Sequence, residues 1–289
     1  MGKMDMDERG MNIGDCLLGL YEKALSFSWG WERKLGAVKE LGFDFMEFSV
    51  DPDHIDRLDW TDGEIAELRD ASFRLGVPMH TLALSANREY PMGSKDEKKR
   101  EAGKALLTKA IGLAGKLGVR VVQVAAYDVY GEESDDETGR LFIESLKECE
   151  RAAALSGVML ALETMDTPYA GSVERCKRIV DAIGSPWLQI YADTGNIAEA
   201  GFDFAKDIMA GMRHIIAVHL KDSKPGAVRR VDYGTGFVDF DYDLRALRQE
   251  GFRGFFVTEM WWDDDPAYLG KVKAAGEFLR EKIRIADAE

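Results

Sequence analysis

Residues 158–163 read VMLALE, residues 188–193 LQIYAD, residues 215–220 IIAVHL and residues 255–259 FFVTE. Each holds a short apolar run, at residues 158–162, 188–191, 215–220 and 255–258, with a carboxylate or an imidazole at or near its exit. Continuous apolar runs of this length suit strands buried on both faces, as in a parallel sheet. Four more such runs lie upstream, at residues 17–20, 45–49, 79–84 and 119–125. Helical stretches separate them. Residues 31–41 carry apolar positions at Leu35, Val38 and Leu41 and end at Gly42; residues 64–75 end at Gly76, 99–117 at Gly118, 141–155 at Gly157 after Ser156, and 242–250 at Gly251. Glycine just past a helix is the usual stop signal. Strands alternating with helices imply parallel βαβ units. Eight of them with no linker or break in composition predict a single (β/α)8 TIM barrel over residues 16–289. An open dinucleotide-binding sheet is disfavoured, because no G-x-G-x-x-G follows the first strand. Residues 1–15 are charged and lack an apolar signal core, and are expected to form a loose extension. The acidic run at 131–137 reads as a solvated loop or a helix start.

The 289 residues, 46% hydrophobic, are enough for one barrel core. The net charge of −14 repels phosphate backbones and anionic lipid, so neither nucleic acid nor membrane is an expected partner. The longest uncharged stretch, residues 75–87, is shorter than the roughly 18 apolar residues of a membrane span and holds Gly, Pro, Ser and Asn. Cys16, Cys149 and Cys176 form no C-x-x-C pair, which fits a reducing cytoplasm rather than a disulfide framework.

In such a barrel the chemistry lies at the C-terminal ends of the strands. The residues there are Glu22 and Lys23 after the first run; Glu47 and Ser49 at the second; Ser85, Asn87 and Arg88 after the third; and Gln123 and Tyr127 at the fourth. The last four runs supply Glu163, Asp193, His219 and Glu259. A single carboxylate at a strand exit is commonplace, and Glu22 or Glu47 alone carries little weight. Four consecutive strands ending in metal-ligand residue types carry much more. Three carboxylates converging in an apolar barrel repel one another and are costly to desolvate, and a divalent cation relieves both. Three oxygens and one imidazole nitrogen suit Mn, Mg, Co or Zn. One divalent ion is therefore expected on Glu163, Asp193, His219 and Glu259. His54, His80 and His214 are read as structural or surface residues.

The motifs LALETMD, IYADTGN, HIIAVHLKDSKPG, YGTGFVDF and GFRGFFVTEMW, with LSANREYPMGS and QVAAYDVY, resemble the xylose-isomerase-like barrel superfamily. More closely they resemble the L-ribulose/L-xylulose-5-phosphate 3-epimerases of pentose and L-ascorbate breakdown. The resemblance spans about residues 18–282. It implies a proton-transfer epimerase in which Glu163 and Glu259 are both metal ligands and the two acid/base groups, with Glu22 and Asn196 at the substrate. A homodimer is the expected assembly. Trp261 and Trp262 form an exposed aromatic pair, either a contact surface at the mouth of the site or a lid or substrate wall.

A sugar phosphate is the expected substrate, because basic residues gather locally in an acidic protein. Lys221, Lys224, Arg229 and Arg230 follow the seventh run, with Gly234 and Gly236 beyond them, and Arg88 follows the third. Arg88, Lys221 and Lys224 are favoured as phosphate contacts, with the amides of the glycine turn assisting. The alternatives are a free-ketose 3-epimerase, a sugar isomerase that would need a second metal for which only Asp222 is at hand, and a sugar-binding barrel without turnover.

Overall fold

The computed structural model describes residues 12–265 and 267–289. The strands are β1 (Leu18–Tyr21), β2 (Phe45–Val50), β3 (Thr81–Leu84), β4 (Val121–Ala125), β5 (Met159–Glu163), β6 (Leu188–Asp193), β7 (Ile215–Leu220) and β8 (Phe255–Thr258). They close into one parallel barrel in chain order, β8 pairing back onto β1. The helices are α1 (Trp31–Glu40), α2 (Asp62–Leu75), α3 (Glu97–Leu117), α4 (Asp136–Ser156), α5 (Val173–Ile183), α6 (Thr194–Glu199), α7 (Phe204–Asp207), α8 (Phe240–Gln249) and α9 (Tyr268–Ala288). The single (β/α)8 barrel expected from the sequence is the one observed.

The apolar runs hide an alternation of size. In β5, Leu160 and Leu162 belong to the large core between sheet and helices, while Ala161 between them faces the barrel interior. The interior set is Tyr21, Phe45, Ala83, Val121, Ala161, Tyr191, Ala217 and Val257. At the N-terminal end it is plugged by three rings: Phe45 lies 5.2 Å from His80 and 5.4 Å from Phe255, and His80 stacks on Phe255 at 5.1 Å. Gly19 makes room for this plug, since a Cβ there would sit 2.4 Å from the Phe45 ring. With the floor sealed, the interior opens only at the other end.

Helix ends follow the sequence signals. Asp135, in the acidic run, caps α4 by accepting from the N–H groups of Glu137 and Thr138. Gly157 ends the same helix at φ 64°, which a side chain would resist. Residues 1–11 of the expected extension lie outside the described residues. Its last part is not loose: Ile13–Asp15 form a 3₁₀ turn, Ile13 is buried, and the N–H groups of Ile13 and Gly14 donate to Asp287 of α9 at 2.9 and 2.7 Å. An apolar side chain and a matching carboxylate dock this turn. Cys16, Cys149 and Cys176 are free thiols. Among the described residues no helix is long and apolar enough to cross a membrane.

Candidate active site and metal centre

Side chains alternate across a strand, so each interior column turns polar two residues at a time. Ala161 is followed by Glu163, Tyr191 by Asp193, Ala217 by His219 and Val257 by Glu259. All four are buried, and each offers one ligand atom within 4.8 Å of the others. His219 is central. Its Nδ1 lies 2.6 Å from Glu163 Oε1, 3.7 Å from Asp193 Oδ2 and 3.8 Å from Glu259 Oε2. Asp193 Oδ2 and Glu259 Oε2 are buried without a well-directed hydrogen bond, and only the Lys221 ammonium, at 2.9 and 3.0 Å, sits between them. Converging carboxylate oxygens and an imidazole nitrogen, two of the oxygens held by a single ammonium, fit a divalent cation.

The site's electrostatics follow from this crowding. Burial and the neighbouring Glu259 and Glu163 raise the Asp193 carboxyl far above the usual range, although Lys221 opposes them. Burial would raise Glu259 too, but Lys221 and His219 together hold it low. Burial disfavours a charged His219, yet Glu47, Glu259 and Glu163 outweigh it and raise the imidazole well above its ordinary value.

These four side chains are held from behind. Asp193 Oδ1 accepts the Asn196 N–H at 2.7 Å and so caps α6. Asn196 Nδ2 donates to the Thr164 carbonyl at 2.9 Å, and Lys221 donates to Asn196 Oδ1 at 2.8 Å. Gln123 donates to Glu163 Oε2. His219 Nε2 meets Glu47 Oε1 at 2.7 Å, and the Tyr191 hydroxyl donates to Glu47 Oε2 at 2.7 Å. Glu47 and Gln123 carry little or no signal in the sequence reading because they sit inside their runs. Their parity with Phe45 and Val121 is the signal that places them in the interior.

Arg88 ends a 3₁₀ turn after β3. Its guanidinium lies 5.4 Å from the Tyr127 ring and 5.9 Å from Tyr130, and its Nε is buried without a partner. Tyr127 in turn donates to Asp166 at 3.1 Å. A cleft of about 820 Å³ opens beside the two tyrosines, between the loops after β4, β5 and β7, lined by Tyr127, Tyr130, Asp166, Thr167 and Arg229. Trp261 packs edge-on to Tyr21 at 6.4 Å, with Lys221 and Arg229 near its face, so it acts as a wall. Trp262 is packed on Trp29 and Tyr268. Both indoles are half-buried, which favours the wall over an exposed contact surface.

Several expected substrate contacts are committed elsewhere. Glu22 is fully buried, its carboxylate gripped by Arg57 at 2.8 and 2.9 Å, Lys34 at 2.5 Å and the Ser49 N–H at 3.0 Å. Burial would raise its carboxyl, but Arg57 and Lys34 hold it below the usual range. It is a structural ion cluster rather than a sugar contact. Asn196 contacts Asp193, and Lys221 contacts Asp193 and Glu259, as described. Lys224 is exposed, in a bridge with Ala227. The glycine turn does not offer its amides to a phosphate: Gly234 and Gly236 donate to Asp222 Oδ2, each at 2.9 Å, while Ser223 and Val238 donate to Oδ1. Asp222 is thereby fully occupied and is not free to hold a second metal.

A sequence profile described as "Xylose isomerase-like TIM barrel" matches residues 35–282. L-ribulose-5-phosphate 3-epimerase UlaE of Escherichia coli strain SMS-3-5 is 41% identical over 92% of this chain and 94% of its own, and the protein of that name from Escherichia fergusonii matches equally. Among solved structures, an L-ribulose 3-epimerase superposes with a TM-score of 0.80 at 20% identity, covering 94% of this chain and 95% of the other. D-psicose 3-epimerase of Clostridium cellulolyticum H10 reaches 0.80 at 19%, covering 92% and 99%. The chain belongs to the xylose isomerase-like TIM barrel family, alongside the L-ribulose-5-phosphate 3-epimerases.

Proposed function

We propose that the protein is an isomerase, a metal-dependent 3-epimerase interconverting L-xylulose 5-phosphate and L-ribulose 5-phosphate. The observation that carries this reading is the convergence of Glu163 and Glu259 with Asp193 and His219 in one buried cluster. The name of the 41% identical relative supports the substrate. Inverting a carbon beside a ketone needs its proton removed on one face and another returned on the opposite face. Glu163 closes β5 and Glu259 follows β8, with β6 and β7 between them, so the two carboxylates approach from different sides. One accepts the proton and the other donates, and the reverse reaction exchanges their roles. A divalent ion on the four residues, whether Mn, Zn, Co or Mg, would supply positive charge opposite the developing enediolate. Lys221 keeps Glu259 ionised, while Tyr21 and Trp261 wall the site. Arg88, with its unpartnered Nε, is the phosphate contact. A homodimer in the cytoplasm, serving pentose and L-ascorbate breakdown, belongs to the same proposal; light scattering checks the assembly.

One observation favours a second reading, a free-ketose 3-epimerase. The glycine-turn amides, which would have assisted a phosphate, are engaged by Asp222. The test is turnover of a panel of ketose 5- and 6-phosphates beside their unphosphorylated forms, followed by proton NMR in deuterated water. Epimerisation of the phosphates with deuterium entering at C3 is expected. Charge-assisted contacts are worth about 1.5–3 kcal/mol, so Arg88→Ala should cost roughly 10- to 100-fold in kcat/KM on the phosphate and little on a free sugar. Equal turnover of free ketoses would transfer the assignment to the second reading.

A further inference from the structure

Each nitrogen of the His219 ring meets a buried glutamate oxygen, Nδ1 that of Glu163 at 2.6 Å and Nε2 that of Glu47 at 2.7 Å, but it is Nδ1 that also lies toward Asp193 and Glu259. Nδ1 faces the ligand oxygens of Glu163, Asp193 and Glu259. Nε2 faces the other way, across the barrel interior, and meets Glu47 of β2 at 2.7 Å. Glu47 is completely buried, and its second oxygen accepts from the Tyr191 hydroxyl, itself fully buried. A carboxylate is an acceptor only, so each of the two contacts calls for a ring N–H; with a cation among Glu163, Asp193 and Glu259 in place of the Nδ1 proton, the remaining proton would satisfy Glu47 from Nε2.

We propose that Glu47 is a positioning residue that locks His219 in the Nε2–H tautomer, leaving Nδ1 as the nitrogen that ligates the metal. The inference deepens the functional reading and rests on it, since it presumes the cation site. Three things follow from the geometry. The proton is kept off the ligating nitrogen. The ring plane is fixed by a contact reaching from β2 to β7. The charge on Glu47 makes the imidazole a stronger donor toward the ion. Tyr191 serves a different purpose: its hydroxyl satisfies the second Glu47 oxygen and does not touch the ring nitrogens.

The experiment has two arms. In the first, wild-type protein with ¹⁵N-labelled histidine is loaded with zinc, and long-range ring correlations are recorded; with four histidines in the chain, a His219→Ala spectrum assigns the signal. His219 is expected with a protonated Nε2 and a metal-bound Nδ1. A protonated Nδ1 overturns the inference. In the second, Mn²⁺ and Zn²⁺ affinities are measured by calorimetry. Partners behind a ligating histidine typically contribute about 10- to 100-fold in affinity, so Glu47→Gln should lose about 10-fold or more. Tyr191→Phe, which leaves the Nε2 contact in place, should stay within about 3-fold. An unchanged Glu47→Gln, or a Tyr191→Phe that loses as much, overturns it. If Glu47→Gln does not fold, the wild-type tautomer decides alone. Wild-type protein that binds neither metal refutes the metal centre itself, an outcome distinct from a bound metal with the wrong tautomer.

Discussion

Glu163 and Glu259 are the same side chain in two environments. Glu163 is contacted by Gln123 and the His219 Nδ1, while Glu259 lies against the Lys221 ammonium. That asymmetry suits two groups that must act on opposite faces of one carbon. Glu163→Gln and Glu259→Gln should each fold, because the amide keeps the shape. Neither amide can shuttle a proton, and losing a general acid–base group typically lowers turnover about 100- to 10,000-fold. One of the two variants should still wash deuterium into C3 of substrate without inverting it, because removal and return are separate steps. A near wild-type rate in either variant, measured by steady-state turnover, removes that residue from the chemistry. Glu163, Asp193, His219 and Glu259 were legible as a group because each stands where an apolar run meets the barrel mouth. Glu47 and Gln123 were picked out at their strand ends but given no role, because a carboxylate or amide inside a run looks like an interruption until the alternation of Phe45 with Glu47 is taken as interior parity. Glu22 shows the opposite failure: its strand-exit position is right for chemistry, and only folding reveals that Arg57 and Lys34 claim it.

At the scale of elements, the eight strands are placed to within about two residues by their apolar runs, and the helices that end in glycine before a strand are placed almost as well. The final helix α9 is followed by no strand, so that rhythm carries no signal for it. Helices α6 and α7 are too short to show a period. Helix α5 carries a readable apolar face at Val173, Cys176, Ile179 and Val180, closed by Gly184. The loop between β7 and α8 is where sequence proximity misled: glycines near basic residues resemble an anion site, but their amides close on Asp222. This loop also steadies the site, since the Tyr233 hydroxyl donates to the Leu220 carbonyl and, at 3.3 Å, to that of Glu259. Gly236 is the tightest point. A Cβ there would lie 2.0 Å from Asp222 Oδ1 and 2.3 Å from the Ser223 carbonyl, and the backbone atom has nowhere to go. Gly236→Ala should therefore cost about 1–3 kcal/mol of stability. Limited proteolysis should cut the variant's 221–238 segment first, and its kcat should fall as Glu259 loses its anchor. Wild-type protease resistance and turnover would show that the clamp does not support the site.

For the molecule as a whole, a closed barrel has no open sheet edge, and its N-terminal end is plugged by aromatic rings. What is left under strain is the open end, where Glu47, Glu163, Asp193 and Glu259 share one buried space. Lys221 and His219, whose imidazole those carboxylates raise well above its ordinary value, supply the positive charge inside that cluster, and two cations do not balance four carboxylates. A divalent ion that binds the folded cluster, and not the unfolded chain, must add stability by mass action. At about 100 times its dissociation constant the gain is about 2.7 kcal/mol. In a chain somewhat above 150–250 residues, 1 kcal/mol moves the melting temperature by roughly 2–4 °C. Saturating Mn²⁺ should therefore raise Tm by roughly 5–10 °C over chelator-treated protein. His219→Ala should lose most of that increment, because it removes the one nitrogen ligand and leaves the carboxylates to repel. Calorimetric scans of both proteins with metal and with chelator measure all four values. Identical melting of the wild type in metal and in chelator would mean that the cluster binds no ion tightly, and the carboxylates would then need Lys221, His219 and shared protons alone to coexist.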